Sequence, residues 1–222
     1  MLNIAKGNMY QGWVSHTWNT VKGKCPHDCS YCYMKRFPQK ELRFDEKELK
    51  TDLGHGNKIF VGSSCDMWAD KIPTKWTFET VVHCCRASEC NTFIFQSKNP
   101  KKYLEYGLPK NVIVGTTIET NKQFEQMGVS PIPYERAINM SYLRTLKKCK
   151  TFLTIEPIMD FDIGEFLELI IETCKPDFVN IGADSGNNHL PEPNKEKVLE
   201  LIAELKKFTI VKIKDNLKRI TG

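Results

Sequence analysis

The sequence predicts a parallel α/β fold on two observations. Short β-branched or aromatic runs recur along the chain, and most are followed by a segment with apolar residues at three- and four-residue spacing. The runs are 12–21, 58–62 (KIFVG), 92–97 (TFIFQS), 111–118 (NVIVGTTI), 151–156 (TFLTIE), 178–182 (FVNIG) and 208–213 (FTIVKI). Most are continuously apolar rather than alternating, as strands buried on both faces of a parallel sheet are. Segments 45–53, 74–87, 100–106, 133–148, 163–173 and 194–206 read as the intervening helices. Pro73-Thr74, Asn99-Pro100 and Asp162 supply caps or first-turn prolines for three of them. The distances between runs suit right-handed βαβ units. A partial barrel and a doubly wound sheet both satisfy this alternation. Both place working residues at the C-terminal ends of strands, which selects 22–32, 63–66, 97–99, 116–119, 156–160 and 182–186.

Composition narrows the class. A chain of 222 residues with 41% hydrophobic content is expected to form one domain, 1–222, with a sizeable core. The sequence has no apolar run of ~18 residues and no leader pattern at 1–9, so neither a membrane span nor secretion is expected. The hydrophobic content excludes a disordered chain. Nine cysteines are an odd number, at well under the ~8–10% density of a disulfide scaffold. They point to a reducing cytoplasm, where clustered thiols serve as metal ligands or catalytic groups. The net charge of +5 lies largely in the tail from Lys206 (KKFTIVKIKDNLKR). It permits an anionic partner without requiring one.

After the first run comes KGKCPHDCSYCYMKRF, in which Cys25, Cys29 and Cys32 are spaced C-x3-C-x2-C with Tyr31 before the last. Three thiolates on one tight loop can hold three corners of a cubane [4Fe-4S] cluster, leaving the fourth iron open to a small molecule. Zinc is the competing metal. Its structural sites close with four ligands, and the fourth here would have to be His27 or a distant residue such as Cys65.

The cysteine loop, with its aromatic before the last cysteine, resembles the signature of the radical S-adenosylmethionine (SAM) superfamily. The wider pattern HTWNTVKGKC, FVGSSCDMW, TFIFQSKNP, VIVGTTIE, FLTIEPIMD and VNIGADSG, in that order, resembles bacteriophage-associated radical SAM proteins whose loop opens with a TWNP-x-x-GC-like string, relatives of spore photoproduct lyase. The chain departs from that string at Thr20, in place of proline, and at Lys24, in place of glycine. The resemblance implies a partial (β/α)6 TIM-like barrel and an enzyme that binds a [4Fe-4S] cluster through Cys25, Cys29 and Cys32. It also implies reductive cleavage of SAM to a 5′-deoxyadenosyl radical, with electrons from a flavodoxin- or ferredoxin-type reductant.

In the same comparison Gly62, Ser63 and Ser64 fall where the superfamily contacts the methionine amino group. Ser97 and Lys98 end the next strand, where a lysine can neutralise the methionine carboxylate. Thr116, Thr117 and Glu119 can reach ribose hydroxyls. Glu156 needs a partner at a buried strand end, whether ribose, substrate, SAM ammonium or a structural lysine. The glycine-spaced loop 182–186 can pass close to adenine or substrate. Cys65 is a candidate hydrogen-atom donor facing the cluster. Cys84, Cys85, Cys90, Cys149 and Cys174 read as packing residues, and His27 as solvent-facing.

Trp13, Trp18, Trp68 and Trp76, with Tyr31 and Tyr33, are expected near the mouth. Together with the basic tail they lean towards a nucleic acid or nucleotide substrate. The alternative is a non-enzymatic binding module for nucleic acid, braced by zinc or an iron–sulfur cluster.

Overall fold

The computed structural model describes residues 1–6 and 12–222. Its strands are β1 (Asn3–Ile4), β2 (His16–Trp18), β3 (Val21–Lys22), β4 (Arg43–Phe44), β5 (Lys58–Val61), β6 (Thr92–Ser97), β7 (Val112–Thr117), β8 (Lys150–Ile155), β9 (Phe178–Ile181) and β10 (Ile210–Ile213). Its helices are α1 (Thr74–Arg86), α2 (Pro133–Lys147), α3 (Ile163–Glu168), which continues as a π-helical stretch Leu169–Cys174, α4 (Lys195–Leu205) and α5 (Lys218–Thr221).

One eight-stranded sheet runs β1-β2-β5-β6-β7-β8-β9-β10, all parallel except the β1–β2 pair at its edge. This is the partial TIM-like barrel the sequence implies. Helices α1, α2, α3 and α4 each carry the chain from one strand to its parallel neighbour. Sequential neighbours with crossover helices are what short right-handed βαβ units produce.

Alternate residues of each strand face opposite sides. Val61, Phe95, Val114, Leu153, Ile155, Val179 and Ile181 join the apolar stripes of the helices in one core that extends from Trp18 to Leu217. On the other face, Phe60, Ile94, Phe152 and Phe178 pack together inside the barrel with Trp13 and Val14. Trp13 meets Phe152 and Phe178 edge-on, with ring centroids 5.1 and 5.2 Å away. Gly115 lies opposite Phe152 in the ladder, where any Cβ would run into that ring. Lys212 caps the ring cluster, its ammonium 4.2 Å from the Phe178 centroid, and burial lowers its pKa.

Several expectations change. The first run forms strand only at His16–Trp18, because the Asn19 side chain turns to accept from the Ser64 backbone and the Ser63 hydroxyl. Val21–Lys22 pairs instead with β4, outside the main sheet. Glu46–Lys50 and Pro100–Glu105 are 3-10 turns, which are frequent as short connectors. Asp162 makes no side-chain cap bond and Pro73 offers none, whereas Asn194 caps α4 by accepting from the Lys197 N–H.

The tryptophans also move. Trp18 and Trp68 are core residues, Trp76 stacks on Phe44 and Trp13 sits in the barrel interior, so the mouth lacks all four. Cys84 and Cys174 are buried as expected and Cys149 partly so, but Cys85 and Cys90 are exposed rather than packed. No helix among the described residues is long and apolar enough to cross a membrane.

Candidate cluster and cofactor site

The C-terminal ends of the strands open on a cavity of about 1110 Å³. Gln96 lines it, two residues beyond Ile94 on the same face of β6, so the ring cluster lies beneath the cavity as its floor. Cys25, Cys29, Tyr31 and Cys32 form one side of the wall. Gly62 to Asp66 after β5, Ser97 at the end of β6 with Lys98 after it, and Thr117 at the end of β7 form the next. Glu156 after β8 and the loop 183–186 after β9 continue it, and Ile4, Ala5, Lys6 and Thr17 line the side of β1 and β2. Among the expected site residues, Thr116 and Glu119 lie off the wall.

The cysteine loop is docked on a distant segment. Ser30 N–H donates to the Gln126 carbonyl at 2.9 Å, and Val129 N–H to that of His27 at 2.9 Å. The Cys29 thiol donates to the Met127 carbonyl at 3.2 Å. Gly128 makes this approach possible, with φ +64° and no side chain to strike the His27 carbonyl. The Cys65 thiol hydrogen-bonds Cys25 and brings its pKa down to about 6 against the effect of burial. Burial raises those of Cys29 and Cys32.

His27 is buried, with 4% exposure, and not solvent-facing. Its Nε2 bonds the Asp66 carboxylate at 2.9 Å. Asp66 also accepts from the Ser97 hydroxyl, the Lys98 N–H and the Trp68 N–H at 2.9, 2.9 and 3.0 Å. One carboxylate thus ties the cysteine loop to the ends of β5 and β6. Burial raises its pKa, but His27 and the backbone donors outweigh this and hold it below the usual range.

A second network stands behind the wall. Glu119 is fully buried and accepts from Tyr31, Lys98 and Arg136. Arg136 is itself fully buried and also donates to the Thr117 and Pro131 carbonyls and to Ser130 Oγ. Glu119 therefore orients Tyr31 and Lys98 rather than presenting its own oxygens to a ribose. An ammonium has three donors, and Lys98 uses two on Glu119 and Tyr31. Thr116 is also turned away from the cavity and donates to the Ser97 carbonyl at 2.8 Å. Glu156 has its structural lysine, Lys214, on one oxygen and the Asn216 amide on the other at 2.9 Å.

The model of a family described as a protein of unknown function, DUF5131, matches residues 10–201. The chain belongs to this family. No curated protein matches the DUF5131 chain in sequence. Its fold is similar to that of a spore photoproduct lyase mutant with serine in place of one cysteine, with TM-score 0.65 and 10% identity over 94% of this chain and 78% of that one. It is also similar to Streptococcus suis SuiB bound to S-adenosylmethionine (0.60, 8%, over 89% and 49%) and to methylornithine synthase, PylB (0.51, 16%, over 88% and 63%). At these identities the likeness is one of fold.

The donor set of the DUF5131 site fits an iron–sulfur cubane. Three cysteines of one loop line a shared cavity, and three thiolates on one loop are what three corners of such a cluster require. Among the described residues, no group of three His, Cys, Asp or Glu side chains is gathered as a single metal ion needs. A polar ligand beside the thiols fits too: Ser64 Oγ is buried without a hydrogen-bond partner, and a buried hydroxyl costs free energy until one arrives. Sequence reasoning missed Arg136 and misjudged His27. Arg136 carried a signal, since it shares the buried stripe of α2 with Ala137, Met140 and Leu143, where a charge needs a partner. His27 carried none, because Asp66 is far from it in sequence.

Proposed function

We propose that the chain is a radical SAM enzyme, a single core domain whose cavity holds a [4Fe-4S] cluster on Cys25, Cys29 and Cys32 with SAM beside it. The observation that carries this reading is the meeting of all three loop thiols with the polar ends of β5, β6 and β7 on one cavity. Spore photoproduct lyase, SuiB and methylornithine synthase, whose fold the chain shares, are radical SAM enzymes. When bound, the reduced cluster and SAM supply a 5′-deoxyadenosyl radical that abstracts hydrogen from an unreactive carbon.

The protein's own residues bind, orient and shield. Gly62 has φ +82°, which turns the chain after β5 so that Ser63 and Ser64 face the cavity and can meet the methionine amino group. Lys98, held by Glu119, offers its remaining N–H to the methionine carboxylate. Thr117 accepts from Gln96 at 2.9 Å and keeps a hydroxyl proton for a ribose oxygen. Glu156, closed off by Lys214 and Asn216, shapes the far wall, and Cys65 stands by the loop as the hydrogen-atom donor. A flavodoxin- or ferredoxin-type protein delivers the electron. The bacteriophage association is proposed on the loop string alone.

Anaerobic reconstitution with iron and sulfide, then dithionite and SAM, tests the proposal. The expected result is about four irons per chain, absorbance near 400 nm and 5′-deoxyadenosine, with Cys29→Ala losing all three. Stoichiometric zinc without that absorbance, or no 5′-deoxyadenosine above background, overturns it.

A further inference from the structure

The segment leaving the last loop cysteine differs from the rest of the cavity wall. Residues 35–41 are all exposed, and the 3-10 turn Tyr33–Arg36 buries none of its side chains. Lys35, Arg36, Lys40 and Arg43 stand along it against the acid Glu41. Between them are two exposed rings, Phe37 at 58% and Tyr33 at 40%, the latter lining the cavity with its hydroxyl donating to the Ser63 carbonyl at 2.6 Å. The segment is also the rim: Lys35, Arg36 and Gln39 line the mouth, and Arg36 donates across it to the Ser185 carbonyl.

The rim's charge is not cancelled from within. Asp28 is shared between Lys24 and Lys35, at 3.5 and 2.9 Å. Glu156 is paired with Lys214, Asp66 lies buried on His27, and Asp184 keeps its charge, its oxygens turned to the N–H groups of Gly186 and Asn188. What faces solvent is a strip of cations with aromatic and proline faces between them. Such a strip is complementary to a polyanion that also has flat apolar faces. Single-stranded nucleic acid has both, its phosphates tracking a basic groove while its bases stack on rings. An acidic peptide has the charge without the faces. The cavity of about 1110 Å³ exceeds the ~300–1000 Å³ of an ordinary small-molecule site, leaving room for a nucleotide beside a cofactor.

We propose that residues 33–43 form a platform for single-stranded or unpaired nucleic acid, with phosphates on Lys35, Arg36 and Lys40, a base stacked on Phe37, and one nucleotide fed into the cavity. Enzymes that act on a base take it out of the stack in this way. Delivery to a radical rests on the function proposed above; binding to the platform does not.

Fluorescence anisotropy with a labelled single-stranded DNA of about fifteen nucleotides, and an RNA of the same sequence, tests this on the reconstituted full chain between about 50 and 200 mM salt. Binding is expected for at least one strand and should weaken with salt. Lys35→Ala with Lys40→Ala should lower the salt slope by about 1.4, at about 0.7 per phosphate contact on a single strand. Phe37→Ala should weaken binding about fivefold or more at every salt concentration. Lys101→Ala and Lys110→Ala, on exposed lysines outside the rim, should change neither.

Equal melting temperatures across the variants establish that folding is intact. No binding at 50 mM salt, rim variants that bind like the parent chain, or displacement by polyglutamate with Phe37→Ala silent would each overturn the platform. Oligonucleotide binding without SAM cleavage leaves the platform standing and overturns the proposed function. SAM cleavage without oligonucleotide binding does the reverse.

Discussion

Glu119 carries a charge at full burial because two cations flank it. Burial alone raises a carboxyl pKa, but Lys98 and Arg136 outweigh it and bring Glu119 down to about 2 from 4.5. A group whose folded pKa is depressed contributes stability above its unfolded pKa and loses it as pH falls through the folded value. The chain is therefore expected to lose stability between about pH 4.5 and pH 2. Glu119→Gln should flatten that limb while starting about 3–5 kcal/mol lower, since it leaves Arg136 buried without its counter-charge. Urea midpoints taken across this pH range measure both effects. Lys98 and Glu119 were legible as strand-end residues, but not that they bond each other, because β6 and β7 set that distance. Glu156 shows the opposite case. Its need for a partner could be read from its surroundings, and Lys214 is one of the kinds of partner so expected.

Among the elements, the cysteine loop was the most legible and its support the least. C-x3-C-x2-C is a local pattern, so its spacing survives in the sequence, whereas the segment that holds the loop lies about a hundred residues on, at 125–129. Gly128 bridges the two, with φ +64° and ψ −137°, a region essentially confined to glycine. Gly128→Ala should cost on the order of 1–3 kcal/mol in backbone strain, plus displacement of the loop from the His27 carbonyl. The expected outcome is a folded chain with a lower melting temperature that takes up well under half the iron of its parent, by iron assay and absorbance near 400 nm. Parental iron content would show that the loop does not depend on this contact. Two segments that read as helices, 45–53 and 100–106, hold short 3-10 turns instead, the form in which short connecting pieces often settle.

Across the whole molecule, order should decline from the middle of the sheet to its edges. The central strands β6 to β8 are paired on both sides and mostly buried. Both residues of β1 are exposed, and β10 ends the sheet with Ile210 and Ile213 exposed. Amide exchange should follow, with β7 opening only on global unfolding and β1 by fraying, a difference on the order of a thousandfold or more. Mass-resolved exchange on peptides covering each strand measures it, and uniform rates would contradict it. Strands β5 to β9 could be recognised from sequence because they are mostly buried on both faces, and β10 because its run is apolar although it stands at the sheet edge. β1, β3 and β4 could not, since two residues are too few to show a period.

The ring-packed floor beneath the cavity has a consequence for traffic. Phe60, Ile94, Phe152, Phe178 and Trp13 close the barrel beneath the strand ends, so among the described residues the cavity opens on the side of the strand ends and the rim. In a blind-ended chamber the sequence of departure mirrors the sequence of arrival. A small molecule seated against the cysteine loop is shut in by whatever next occupies the rim, so the two are expected to arrive and to leave in opposite order.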